Sequence, residues 1–133
     1  MKIENPREKL LCNAEVFRHL SEIKQKQKQL ASRKTSALNN ENLETVALEI
    51  QRYMSNTTFS VASQQTDSDI YNFLSEISVF ELEKAEKLQI VNQSPSSLAL
   101  LCSLVEEFEQ RFTEQDGNNM LQLVAKYLHP VSN

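Results

Sequence analysis

The sequence predicts an all-α fold, and three features of its composition lead to that prediction. Of the 133 residues, one is glycine and three are proline, far fewer than a β-rich chain uses in its turns. Hydrophobic residues make up 40% and charged residues 24%, which is typical of an ordinary folded domain. Long stretches rich in Leu, Glu, Lys and Gln favour helix. We therefore expect a helical bundle whose length suits one domain with a small appendage.

The first amphipathic helix is predicted to follow Asn13, which is a suitable N-cap, with Glu15 in the first turn where the helix dipole favours an anion. The apolar pattern stops at Lys24–Gln29, so the helix is expected to enter solvent there. Residues 9–12, KLLC, fit no helical period and are a candidate edge strand for pairing with another protein. The apolar face of this helix consists of Val16, Phe17, Leu20 and Ile23.

A second helix is predicted between two polar segments. Residues 31–41 are a polar linker, and Asn40 or Asn42 can cap the helix. Residues 55–68 are rich in Ser, Thr, Asn and Gln, which indicates a domain boundary or a mobile loop. We therefore divide the chain into an N-terminal part (1–55), a loop (56–66) and a C-terminal domain (67–133). The apolar stripe of the second helix is Leu43, Val46, Ala47, Ile50, Tyr53 and Met54.

Four helices with short connections are predicted in the C-terminal domain. Their ranges are 69–77, 83–91, 97–112 and from Asp116 or Asn118 to Leu128, and Thr113 with Asp116 forms a shortened capping box that can open a further turn. Pro95 turns the chain between the second and third of these, and Asn92 suits a left-handed or turn conformation. The predicted inward residues are Ile70, Phe73, Leu74 and Ile77; Leu82, Ala85 and Leu88; Leu98, Leu101, Cys102, Val105 and Phe112; and Met120, Leu121, Val124, Tyr127 and Leu128.

The sequence offers no pattern that predicts catalysis or metal binding. His19 and His129 lack a Cys, Asp or Glu at ligand spacing, so no metal site is expected. A single glycine cannot supply a phosphate-binding loop or a nucleophile elbow, so no cofactor is expected either. The acidic clusters Glu81/Glu83/Glu86 and Glu106/Glu107/Glu109 are interpreted as solvated helix faces rather than acid–base groups. The protein is not expected to be an enzyme.

The cysteine content and the N-terminus predict a soluble intracellular protein. Cys12 and Cys102 are too few for a disulfide framework, which favours the cytosol or the nucleus, and each is expected to be a small buried apolar residue. The N-terminus has no apolar core typical of a signal peptide, and no run of about 18 apolar residues suggests a membrane span.

The charge is unevenly distributed along the chain. Residues 1–35 contain nine Lys/Arg and four Glu, a net charge of +5, whereas the remainder has a net charge of −9. Two interpretations stay open for the basic segment: a solvated helix end, or weak contact with RNA or other phosphate groups. No aromatic residues interleave for base stacking, so sequence-specific binding is not predicted. The candidate contact residues are Lys24, Lys28, Arg33 and Lys34.

The N-terminal part carries more apolar surface than two helices can enclose alone. A partner protein that covers this surface is therefore a reasonable inference. The residues predicted to contact that partner are Leu10, Leu11, Val16, Phe17, Leu20, Val46 and Ile50.

Four sequence motifs in order resemble those of the small stalk subunit of RNA polymerases. Residues 11–17 resemble the L-x-N-x-E-V-F opening of that family, NLETVALEIQRYMS resembles its second helix, and FTEQD resembles the segment before its last helix. Gly117-Asn118 departs from the family pattern and looks like an insertion. The central signature, a helix, a proline corner and an acidic helix ending in arginine, is carried by Leu82, Glu86, Ile90, Asn92, Pro95, Glu106, Glu107 and Arg111.

The resemblance implies both a fold and a role. It is greatest to the polymerase III member, the calcitonin-gene-related-peptide receptor component family. It implies an HRDC-like helical bundle with an N-terminal helical docking arm. It also implies a nuclear, non-catalytic subunit that forms a heterodimer with the larger OB-fold stalk subunit of RNA polymerase III. That heterodimer would protrude from the polymerase core, contact initiation factors and support initiation at small RNA genes such as tRNA and 5S rRNA. Contact with nascent RNA is left open, and no membrane association is implied.

Two other interpretations stay open at the level of sequence. One is a stand-alone HRDC-type module that binds nucleic acid. The other is the equivalent stalk subunit of RNA polymerase II or of an archaeal polymerase.

Overall fold

The computed structural model describes residues 2–31 and 41–128, and within them every regular element is a helix. The all-α prediction is therefore confirmed for this part of the chain. The helices are α1 (Asn13–Ala31), α2 (Glu41–Ser55), α3 (Asp67–Ile77), α4 (Lys84–Gln93), α5 (Leu98–Leu104), α6 (Phe108–Arg111) and α7 (Glu114–Tyr127).

The core lies where α3, α4, α5 and α7 meet. Helix α7 packs against both α3 and α5, while α4 packs against α5. Burial of these side chains removes apolar surface from water and supplies most of the stabilisation of the bundle. The largest fully buried side chains are Phe73, Ile77, Ile90, Val91, Leu101, Met120, Val124 and Leu128. Two residues predicted to face inward, Leu74 and Ala85, are exposed instead.

Threonine caps fix the starts of two helices. Thr66 accepts a hydrogen bond from the backbone N–H of Asp69 and is the N-cap of α3, which begins at Asp67, one of the two residues predicted at its start. The predicted capping box of Thr113 and Asp116 is confirmed, and it starts α7 at Glu114. The capping prediction at Asn13 was displaced by one residue, because the first helical hydrogen bond is accepted by the carbonyl of Cys12.

The predicted single helix 97–112 was wrong, because the chain breaks into α5 and α6 at residues 105–107. Glu107 has a left-handed backbone with φ of 49°, which no continuous helix contains. Both backbone groups of Glu106 at the break are paired, since its N–H donates to Glu86 and its carbonyl accepts from Arg111. The break is thus stabilised by partners distant in sequence.

Gly117, suspected to be an insertion, lies inside α7 and is buried. A Cβ there would come within 2.4 Å of Leu98 Cδ1 and 2.9 Å of Phe108 Cζ. Glycine therefore allows α7 to approach the α5–α6 pair closely.

The proline corner also differs in detail from its prediction. Asn92 is helical, and the left-handed residue is Ser94, with φ of 43°. The Ser94 N–H donates to the carbonyl of Ile90 at 2.8 Å, which ends α4. The Asn92 Oδ1 accepts the backbone N–H of Asn13 at 2.9 Å instead. Asn92 therefore joins the corner to the start of α1.

The N-terminal part is attached to the bundle through the first turn of α1. Cys12 and Ala14 belong to the same buried cluster as Phe73 and Ile90. Helix α1 continues with an exposed surface through Lys24–Gln29, as predicted, and packs against α2. Residues 9–12 have no regular secondary structure. Of the two predicted caps of α2, Asn42 is helical and Asn40 lies outside the described residues.

The polar segment between α2 and α3 has no helix, but part of it is buried. Ser60, Val61, Ala62 and Gln65 are all less than a tenth exposed. The Gln65 Nε2 donates to the carbonyl of Val91 at 2.8 Å and to Ser94 Oγ at 3.1 Å. Gln65 thus joins this segment to the proline corner by hydrogen bonds.

Candidate docking interface

Three of the seven residues predicted to contact a partner are exposed. Leu10 is 67% exposed, Val46 is 55% exposed, and Leu11 is also on the surface. Large apolar side chains in such positions gain free energy when another protein covers them. The other four, Val16, Phe17, Leu20 and Ile50, are half-buried.

Helix α2 is an amphipathic helix that buries none of its residues fully. Its inward side packs on α1, where Gln51 Nε2 donates to Ser21 Oγ at 3.3 Å. Its outward side carries Val46 and Tyr53, which are seven residues apart and share a face. A helix of 15 residues without a buried side chain is weakly held by its own chain.

An aromatic pair that the sequence interpretation missed extends this outward side. The rings of Tyr53 and Phe59 stack with centroids 6.3 Å apart and an angle of 6° between their planes, and both residues are exposed. The signal for it was a phenylalanine in an otherwise polar loop, six residues after a tyrosine at the end of an apolar stripe. We call Val46, Tyr53 and Phe59 the α2 outer face.

The predicted phosphate-contact residues are only partly described. Lys24 and Lys28 are exposed, four residues apart on the solvent-facing end of α1. Arg33 and Lys34 lie outside the described residues. Arg18, nearer the bundle, is engaged with Asp67 and holds the pKa of that carboxyl below its usual value. The prediction of weak RNA or phosphate contact therefore remains a prediction.

Glu86 was wrongly interpreted as part of a solvated acidic face. Its side chain is 10% exposed and forms a two-bond ion pair with Arg111, whose Nη1 and Nη2 donate to the carboxylate at 2.6 and 3.1 Å. The backbone N–H groups of Glu83 and Glu106 donate to the same carboxylate at 2.8 and 3.2 Å. The hydrogen bonds from Arg111, more than any other contact, hold the pKa of Glu86 below its usual value.

Arg111 is equally engaged. Its guanidinium also donates to the carbonyl oxygens of Glu81 and Glu106 and lies over the ring of Phe112. The glutamate and arginine of the sequence signature therefore join the start of α4 to the break between α5 and α6. Their role in this geometry is structural.

Within residues 2–31 and 41–128, no group of three or more His, Cys, Asp or Glu side chains is placed to hold a metal ion. His19 is exposed, and His129 lies outside the described residues. Cys12 is buried, which raises the pKa of its thiol, and Cys102 is half-buried. No helix in the same part of the chain is both long and apolar enough to cross a bilayer.

Comparison with known proteins places this geometry in a family context. The family model described as RNA polymerase Rpb4 matches residues 10–128. The chain is 36% identical to DNA-directed RNA polymerase III subunit rpc9 of Schizosaccharomyces pombe, and the alignment covers 95% of each chain. It is 29% identical to DNA-directed RNA polymerase III subunit RPC9 of Saccharomyces cerevisiae, covering 96% of this chain and 99% of that one.

Proposed function

The chain belongs to the RNA polymerase Rpb4 family, and we propose on that premise that it is a non-catalytic subunit of DNA-directed RNA polymerase III. The observation that carries the proposal is the end-to-end similarity to two subunits named for that enzyme. Because the similarity spans nearly the whole of each chain, it is not confined to a shared helical module. A role without chemistry of its own also suits a chain whose charged signature residues, Glu86 and Arg111, are used in a structural ion pair.

We further propose that the chain forms the stalk heterodimer with the larger OB-fold subunit. The exposed apolar groups of the N-terminal part support this, since Leu10, Leu11 and the α2 outer face remain accessible. Phe17, Leu20 and Ile50 are half-buried and would act mainly by holding α1 against α2. In this proposal residues 1–55 form the docking part, 56–66 the connection and 67–133 the HRDC-like bundle.

The heterodimer would act in the nucleus, attached to the polymerase core, by contacting initiation factors at small RNA genes such as tRNA and 5S rRNA. Contact with nascent RNA through Lys24 and Lys28 is a secondary part of the proposal. It is supported by their exposure and their spacing on one helix face.

Affinity purification of the tagged full chain from nuclear extract tests the assignment. We expect the catalytic subunits of RNA polymerase III to copurify, together with a larger OB-fold partner. Recovery of RNA polymerase II catalytic subunits instead would assign the chain to another polymerase.

A second measurement distinguishes the polymerase subunit from a stand-alone nucleic-acid-binding module. The isolated full chain is titrated with single-stranded RNA at low and high salt. Tight, salt-dependent binding without any copurifying polymerase would favour the HRDC-type module and overturn the subunit proposal.

A further inference from the structure

We propose that the groove between the N-terminal arm, α3 and α4 is a docking site for an acidic amphipathic helix of a partner protein. The groove has a volume of about 520 Å³ and is lined by side chains from all three elements. The lining residues that would contact the docked helix are Tyr71, Leu74, Lys84, Lys87 and Leu88. The proposal does not depend on which polymerase the chain serves.

The floor and walls of the groove are apolar and accessible. Tyr71 is 71% exposed and Leu74 is 38% exposed, although both stand on a helix that otherwise supplies fully buried core residues. Leu88 of α4 also lines the groove and is half-buried. Apolar side chains converging on one concavity, rather than scattered singly, are typical of an interaction site.

Two lysines on the rim determine the charge of the occupant. After residue 35 the chain has five Lys/Arg residues and a net charge of −9. Three of the five pair with carboxylates: Arg52 with Glu49, Arg111 with Glu86 and Lys126 with Glu76. The other two are Lys84 and Lys87, and neither has an ion-pair partner within 4 Å in the part of the chain that the structure describes. The two lysines without an ion-pair partner in this acidic part of the chain therefore both line the groove.

The carboxylates that also line the groove are already engaged. Asp67 pairs with Arg18. Glu15 accepts the backbone N–H of Cys12 at 2.9 Å, and its other oxygen lies 3.8 Å from Lys9 Nζ. A ligand entering the groove thus meets two unpaired positive charges, and its charge complement is negative.

The position of these lysines on α4 supports a role in binding rather than in folding. Lys84 is the first residue of α4, and Lys87 follows in the next turn. Cations at the N-terminus of a helix are disfavoured by the helix dipole. An acidic ligand would compensate for that placement.

A partner helix with an apolar face and acidic flanks fits this groove better than other ligands. Apolar anchors at i, i+4 and i+7 can enter the groove, and flanking Asp or Glu can reach Lys84 and Lys87. A nucleic acid needs phosphate contacts but has little use for an aliphatic floor formed by Leu74 and Leu88. An open groove with exposed apolar side chains and charged neighbours also favours a peptide over a compact small molecule.

The test uses a fluorescent peptide of about 16 residues, which is about four helical turns, with Leu at i, i+4 and i+7 and Glu on both flanks. Fluorescence anisotropy measures how tightly the peptide binds to two samples: the full chain alone, and the complex of the full chain with the larger stalk subunit. We expect both to bind, and Tyr71→Ala or the double variant K84E/K87E to weaken binding by about tenfold or more. A peptide with Lys in place of Glu should regain affinity for K84E/K87E, which a merely structural loss would not produce.

Two matched controls lie outside the groove. K24E/K28E reverses two exposed lysines on one face of α1, and Leu100→Ser removes an exposed apolar side chain of α5. Both should leave peptide affinity unchanged. The proposal is overturned if K24E/K28E weakens binding as much as K84E/K87E, or if the peptide fails to bind. It is also overturned if the isolated chain binds but the complex does not, because the larger subunit then occupies the groove.

Discussion

At the scale of single residues, one buried carboxylate connects segments that are far apart in sequence. Glu86 accepts hydrogen bonds from Arg111, Glu83 and Glu106 at once. Removing its charge leaves the guanidinium facing a neutral amide and weakens two backbone contacts. Only the Glu86 side of this ion pair is buried, and loss of its charge is costly because the backbone N–H groups and the guanidinium that point at it lose a strong acceptor.

We expect Glu86→Gln to lower the free energy of unfolding by about 2 kcal/mol at neutral pH. The folded-state pKa of Glu86 lies below its usual value of 4.5, so its contribution is present above that value and is lost as pH falls through the folded-state pKa. Denaturant unfolding from pH 7 to pH 3 should show wild type and Glu86→Gln converging in acid. The matched control is Glu76→Gln, at an exposed pair with Lys126 and Tyr127, for which a much smaller loss is expected. Equal effects of the two substitutions would contradict the structural role of Glu86.

At the scale of elements, periodicity predicted most helices but not the break between α5 and α6. The residues at the break, Val105, Glu106 and Glu107, contain neither proline nor glycine, so nothing local ends the helix. The groups that stabilise the break, Glu86 and Arg111, are recognised only once α4 is packed beside it. For the same reason, Glu86 looked like part of a solvated face.

We expect Glu107→Gly to stabilise the protein by about 0.5–1 kcal/mol, because glycine adopts φ of 49° without the steric cost that other residues meet. In a continuous helix over 97–112 the same substitution would destabilise by a similar amount. Thermal unfolding therefore distinguishes the two conformations directly. Glu109→Gly, two residues later and inside α6, is the control and should lose stability.

The candidate interface was predictable as a set of apolar stripes, but its exposed members were not. An apolar stripe shows which residues share one face of a helix, whereas tertiary packing decides which neighbour covers that face. Phe17 and Leu20 are half-buried, and Tyr53 of α2 stacks with Phe59 from a loop that has no periodicity. Leu10 and Val46 are consequently better probes of docking than Phe17.

We expect Val46→Asp to weaken binding to the larger stalk subunit by about 30-fold or more, equivalent to about 2 kcal/mol, since a carboxylate would replace a desolvated apolar contact. Because Val46 is more than half exposed, the isolated chain should unfold at nearly the wild-type temperature. Leu100→Asp, at an exposed site on α5, should bind normally. Retained affinity in the folded Val46→Asp variant would move the interface away from α2.

At the scale of the whole molecule, stability is distributed unevenly. The bundle of α3, α4, α5 and α7 encloses the buried core, and the start of α1 is joined to it by Ala14 and by the hydrogen bond between Asn13 and Asn92. Helix α2 packs on α1 but buries no residue fully. Elements with few buried apolar contacts open locally at lower free energy than the core.

Hydrogen exchange should therefore separate the chain into a stable bundle and a weakly held docking helix. In the isolated chain, we expect amides of α7 and of the first turns of α1 to exchange only by global unfolding, and amides of α2 to exchange earlier. Binding of the larger stalk subunit should slow exchange in α2 far more than in α7, because it would cover the α2 outer face. The Val46→Asp variant mixed with the same subunit is the control and should keep the fast exchange of the isolated chain. If α2 in the isolated chain is already as protected as α7, the helix is held by its own chain, and the apolar face needs no partner to stabilise it.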